Sequence, residues 1–173
     1  MRINCSRCRT VEYTVAPAAA SRGVIDLEPM AVSATTGFAD CLLVRVGVER
    51  GDAALADVAA RVVDRMAVRT DAAITVIDGF ARRTLARGSD RHYCRGRGAG
   101  TAEVLRELAG RLEESGHAVH LVPEGWNKSW DTELLESAGA QCVVDLTEGS
   151  EPVVWSSENI CGWNSRCGPL FRP

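Results

Sequence analysis

The chain holds one lysine among nineteen arginines. An arginine-for-lysine bias is the ordinary mark of a GC-rich genome. It leaves open why Lys128 is the exception. Lys128 lies in Pro123-Glu124-Gly125-Trp126-Asn127-Lys128-Ser129-Trp130, between two tryptophans. In an extended chain Trp126, Lys128 and Trp130 share one face. A lysine flanked by aromatic surface is partly desolvated, and desolvation favours its neutral form. Such a group can orient a water or stabilise an oxyanion. The plainer reading is a surface lysine whose stem lies along the tryptophan faces, and the residue pattern alone favours it.

Other chemistry-bearing residues fall into two groups. Arg82, Arg83, Arg87, Arg91, Arg95 and Arg97 crowd one Gly-rich stretch, opposed within it only by Asp90. That run fits a contact with a polyanion, and equally a solvated loop. His92 lies in it beside Tyr93 and Cys94, and is the histidine most easily recruited to a site. His117 and His120 are three apart on an expected strand, so they face opposite sides.

The seven cysteines are odd in number, and no secretion signal is apparent. A full disulfide framework is therefore not expected. Cys41 and Cys142 sit in apolar runs as small core residues. Cys5 and Cys8 form a C-x-x-C, expected where a first strand enters a turn. Cys161 and Cys167 form a C-x5-C in the tail. Together these four could bind a structural zinc, with His92 or Cys94 as a substitute ligand. The alternative is free thiols or a tail disulfide. No cofactor is expected to be required for catalysis.

Signatures of several enzyme classes are missing. The sequence has no G-x-S-x-G, no H-E-x-x-H and no Gly-Lys pair of a phosphate loop. Gly96, Gly98 and Gly100 precede a helix, but the strand before them ends too far upstream for a dinucleotide fingerprint.

These residues need a scaffold, and the sequence outlines one. Of 173 residues, 46% are hydrophobic and 25% charged, enough for one domain with a real core. The formal charge of -3 excludes a globally basic nucleic-acid binder but not a local basic face. No window reaches the roughly 18 apolar residues of a membrane span, so a cytoplasmic protein is expected. Strands are expected at 11–15, 41–48, 72–78, 117–122 and 142–146. Amphipathic helices are expected over roughly 52–69 and from Thr101 to Gly116, with Asp52 and Thr101 as caps. Residues 16–37 read as an irregular excursion. The stretch after Trp130 reads as a short helix, and residues 148–173 as a tail. The pattern is a single α/β or α+β domain over 1–147, with a mixed sheet of about five strands and two long helices packed on it.

The order of these segments resembles the editing domain of archaeal-type threonyl-tRNA synthetases. The resemblance runs over about residues 1–147, through VEYTV, FADCLLVRVGVERGD, ITVIDGFAR and TAEVLRELAGRLEESGHAVHLVPEGWNKSW. Its sharpest element is P-x-G-x-x-K at Pro123, Gly125 and Lys128. It implies a D-aminoacyl-tRNA deacylase-like fold, a homodimer, and hydrolysis of serine wrongly attached to threonine tRNA. Lys128 falls on the family's catalytic lysine, which helps hold the attacking water. Asn127 stands where the family has tyrosine. Glu136 or Gln141 falls near a family acidic position. Phe80-Ala81-Arg82 replaces Phe-Ala-His, and with Gly125 and Trp126 would shape the substrate pocket. Arg7-Cys8-Arg9 replaces a His-Ser-Asp turn. The implied enzyme is an aminoacyl-tRNA deacylase acting in trans, with Arg83, Arg87, Arg91, Arg95 and Arg97 on tRNA phosphates. The altered pocket residues leave the aminoacyl group open between serine and a threonine analogue. They also leave room for a module that binds aminoacyl-tRNA or transfers its acyl group without hydrolysis.

Overall fold

The computed structural model describes residues 1–17, 27–81, 100–137 and 139–156. Within them the chain forms β1 (Arg2–Val15), β2 (Thr35–Val48), α1 (Ala56–Thr70), β3 (Ile74–Ala81), α2 (Thr101–Glu114), β4 (Val119–Leu121), β5 (Lys128–Leu134), β6 (Gln141–Asp145) and β7 (Val153–Ser156). The fold is mixed α+β, with two helices on one mixed sheet. Seven strands join it rather than about five, in the order β4-β3-β2-β1-β6-β7, with β5 also on β1. The added ones are β5 and β7, so the tail contributes a strand through residue 156. The stretch after Trp130 continues β5 and then turns, and is not a helix.

β2, β3 and β4 run parallel, connected through α1 and α2. This is the crossover arrangement that puts helices over one face. β1 runs antiparallel to β2 along nearly its whole length. Its other edge is shared: residues 2–6 pair with β6, and residues 8–15 pair with β5.

Alternation then sorts the side chains. Ile3, Cys5, Leu42, Val44, Val46 and Ile77 point toward the helices and meet Val63, Met66, Leu105, Leu108 and Leu112. Cys8, Val11, Tyr13, Val15, Cys41, Leu43 and Val76 form a second, smaller core on the other face. Gly79 marks the tightest strand–helix approach, where an added Cβ would lie 2.0 Å from Leu105 Cδ1.

Both helix starts differ from expectation. Asp52 does not cap α1; its Oδ2 accepts from Glu49 N at 2.7 Å inside the preceding turn. Thr101 is buried in the first turn of α2, and Gly100 precedes it with no side-chain cap. Arg7-Cys8-Arg9 is not a turn either. It lies inside β1 at a β-bulge, where Arg7 donates to the carbonyls of Cys8, Cys41, Thr70 and Asp71 and pairs with Asp40. The bulge and the positive φ of Asp40 (55°) bend β1 and β2 at the same level.

The bend rolls the sheet. Lys128 on β5 and Asp78 on β3 are three ladders apart, and by register they stand level with Val15 and Asn4 of β1, so a flat sheet would hold them roughly 35 Å or more apart. Yet Lys128 Nζ lies 2.8 Å from Asp78 Oδ1. Tyr13 on β1 and His120 on β4 are also three ladders apart, and their side chains are 2.9 Å apart. The far half of β1, the start of β2, and β5 therefore fold over the helix-free face of β2, β3 and β4.

Candidate functional site

The site lies where the rolled strands close on this face. Lys128 begins β5, and its register partner is Val15. Trp130 follows two residues later on the same face, and Trp126 packs on the same small core. The expected sharing of one face by these three residues is thus what the fold shows.

The lysine is neither free nor simply aromatic-lined. Its side chain is 8% exposed, and its ammonium donates to Asp78 Oδ1 and to the Pro123 carbonyl, each at 2.8 Å. Asp78 is 13% exposed and follows the buried run of residues 75–77 within β3. An ammonium has three donors. Two are fixed by these oxygens, so the third has a defined direction. The plain surface-lysine reading does not fit this burial and pairing.

A second polar pair adjoins the first. Tyr13 Oη and His120 Nε2 share a hydrogen bond, and Tyr13 stacks at a tilt on Trp130 with centroids 5.4 Å apart. Phe38 also packs against His120, at 4.5 Å between centroids. Burial pushes the Tyr13 phenol up, opposed by a hydrogen bond to Thr36 and reinforced by the negative charge of Asp78. The last effect places Asp78 within electrostatic reach of Tyr13. Burial holds the His120 imidazole below its ordinary value, so it is neutral at pH 7. Burial raises the Glu124 carboxyl, and Arg106 and Lys128 pull it back down.

The other expected site residues separate. Glu136 lies beyond the far end of β5, past Leu134, which is about 20 Å along the strand from Lys128. It cannot act on the same atom. Gln141 opens β6 opposite Ser6, next to where β5 ends on β1 and so also far along the strand from Lys128. Asn127 is exposed, and its carbonyl accepts from Ala16 N at 2.8 Å. Gly125 adopts φ 81° in the exposed turn before β5, a conformation that favours glycine. Phe80 is two residues beyond Asp78, on the same face by alternation, and is 45% exposed at the rim. Ala81 ends β3 and is exposed. Arg82, Arg83, Arg87, Arg91, Arg95, Arg97, His92 and Cys94 lie outside the described residues.

The zinc reading is corrected at its N-terminal half. Cys5 and Cys8 are not at a strand end but inside β1, on opposite faces of the sheet, one in each core. Two thiols on opposite faces cannot bind one ion. Each instead opposes another cysteine across a ladder, Cys5 with Cys142 and Cys8 with Cys41. The hydrogen bond to Cys142 and burial push the Cys5 thiol up, and the hydrogen bond to Cys8 and burial do the same for Cys41. Among the described residues no cluster of three metal-ligating side chains occurs. Cys161 and Cys167 lie outside them.

Three residues of the site escaped the sequence reading. Asp78 had a signal, a lone carboxylate ending the apolar run AAITVID. Tyr13 and His120 had only weak ones, because each looks like an ordinary strand residue until the sheet rolls. The described residues include no helix long and apolar enough to cross a membrane. No protein-family model matches the chain, and no curated protein matches it.

Proposed function

We propose that the chain is an aminoacyl-tRNA deacylase that hydrolyses the ester of mischarged threonine tRNA, carrying serine or a threonine analogue. The observation that supports this most directly is the buried Lys128 ammonium, held by Asp78 and Pro123 with one donor direction left over. Ester hydrolysis asks little more of a site than one polarised oxygen and one placed water.

In this reading the third N–H of Lys128 meets the oxygen on which negative charge develops. Asp78 and Pro123 set its direction. Neutral His120, with its Nε2–H donating to Tyr13 Oη, takes the proton of the attacking water at Nδ1. The water oxygen bonds to the acyl carbon, the ester C–O bond breaks, and the ribose oxygen leaves with a proton. Trp126 and Trp130 exclude bulk water, which strengthens the ammonium's effect. A cytoplasmic homodimer with aminoacyl-tRNA as its partner belongs to the same proposal.

The test is release of serine from mischarged threonine tRNA by wild type, Lys128→Ala and Lys128→Arg. Wild type should release serine above the uncatalysed rate. Lys128→Ala should lose about 100- to 1,000-fold, the usual cost of one oxyanion donor. Arginine, planar and larger, should not rescue it. Equal release by wild type and Lys128→Ala would remove Lys128 from the chemistry.

A second reading has one observation in its favour. The Lys128–Asp78 pair already neutralises the lysine's charge, as a structural ion pair would. A module that grips aminoacyl-tRNA without hydrolysis would bind a panel of charged tRNAs tightly and release none of them.

A further inference from the structure

A hollow of about 370 Å³ opens on the helix-free face, near the end of β5 remote from Lys128. Its size falls in the lower part of the range of about 300–1,000 Å³ typical of small-ligand sites. Strands β1, β2, β6 and β7 form its floor, and Thr132 and Leu134 of the rolled β5 form its wall.

The floor is ordered by register. Arg45 pairs with Asn4, Asn4 with Val143, and Val143 with Trp155. These four residues stand in one row across the sheet and face the hollow. On its other side Arg45 pairs with Asp78, so the row runs on to the Lys128 site.

Two polar atoms in this row are unsatisfied. Among the described residues, buried Arg45 Nε has no hydrogen-bond partner, and neither has buried Asn4 Oδ1. A buried donor or acceptor left unpaired is costly, and a charged donor most of all. The Arg45 guanidinium carbon lies over the Trp130 ring, 5.1 Å from its centroid, at the inner end of the row. At the outer end Trp155 is 58% exposed, a large aromatic surface beside a polar hollow. An arginine with an unmet Nε–H, an amide oxygen without a donor and an exposed indole together describe one kind of ligand. It is a planar, hydrogen-bonding ring joined to an anion.

We propose that this hollow binds an unpaired nucleotide, with its phosphate at Arg45, its base edge at Asn4 and its base stacked on Trp155. The three ladder steps from Arg45 to Trp155, about 14 Å between Cα positions, are shortened by two long side chains to a span of nucleotide size. The single-stranded end of a tRNA would bring such a nucleotide. That choice of source rests on the deacylase reading, whereas the nucleotide chemistry does not.

The test is binding of fluorescein-labelled single-stranded ACCA RNA, by anisotropy, and of cytidine and adenosine 5′-monophosphates, by calorimetry, to the full chain. Arg45→Gln should weaken RNA binding about tenfold and reduce the slope of log affinity against log salt by about 0.7, the loss of one phosphate contact. Trp155→Ala should weaken binding by about tenfold or more, and Trp155→Phe should restore most of it. Trp155 is exposed, so its variants test the hollow even if Arg45→Gln fails to fold. RNA binding at least tenfold tighter than the mononucleotides assigns the site to a strand; equal affinities assign it to a free nucleotide. No binding of any probe at millimolar concentration overturns the proposal, as does binding that neither Trp155→Ala nor Arg45→Gln alters. If deacylation is absent while binding depends on Arg45 and Trp155, only the deacylase reading falls. If deacylation persists without this binding, only the nucleotide site falls.

Discussion

The two faces of the sheet are made from alternate residues of the same strands, and they differ in kind. Toward the helices the buried layer is almost wholly apolar, with Leu105, Leu108, Leu112, Val63 and Ile77 fully enclosed. Away from them the small core is interrupted by Tyr13, His120, Asp78, Lys128 and Arg45. Two helices cover the first face, whereas the second is covered by the sheet's own bend. A bend covers incompletely. It leaves a rim and a hollow where polar groups can be held without being sealed. The apolar layer concentrates on one side and the buried polar groups on the other, with the strands' alternation as the division.

Breaking the ion pair tests the polar side most sharply. Lys128→Met should cost about 3 kcal/mol of stability, because Asp78 keeps a largely buried charge without a partner. Lys128→Met with Asp78→Leu should recover most of that in denaturant unfolding while remaining inactive. Recovery of activity in the double variant would mean that the pair is structural only.

Gly79→Ala tests the other side from the neighbouring residue. Its new Cβ would press on Leu105, so unfolding should show a loss of about 1–3 kcal/mol. The release rate per folded molecule should stay close to wild type, since residue 79 faces the helices and Asp78 does not. A large loss of rate would show that the faces are coupled.

A smaller effect follows from His120. Its folded-state value lies below the ordinary 6.5, because burial disfavours the imidazolium. Below about pH 6.5 the unfolded chain therefore binds a proton that the folded chain does not. Stability should be full above that pH, fall as the pH drops through it, and level off below the lowered folded value. Thermal unfolding of wild type and His120→Asn between pH 7.5 and 5 checks this, and the variant should lose that part of the slope. The smallest expected effect is that of EDTA. With Cys5 and Cys8 on opposite faces, chelation should leave Tm unchanged, and a marked drop would point to a metal held elsewhere in the chain.

Much of the scaffold was legible. CLLVRVGV and AAITVID are continuous apolar runs of the kind that fill central parallel strands, and both helices show their stripe. The N-terminal half of β1 was missed although Ile3 and Cys5 alternate with Asn4 and Ser6. The C-x-x-C spacing drew attention to metal chemistry instead. The start of β2 was missed because Thr35, Thr36 and Gly37 look like loop, and only pairing with β1 makes them strand. Lys128 stood out through its rarity and its aromatic neighbours. Glu136 was set near it only by the family resemblance, and the extended β5 carries Glu136 away.

The sequence by itself determined the periodicities, and through them which residues face the helices, since alternation and helical repeat are local properties of the chain. It also singled out Lys128. Only the tertiary structure decided what Lys128 meets. Asp78, Tyr13 and His120 come from strands up to four ladders away, and a bulge at Arg7-Cys8-Arg9 with a left-handed residue at Asp40 brings them together. A contact made by bending a sheet depends on register and closure across the whole fold, and no local pattern of residues encodes it.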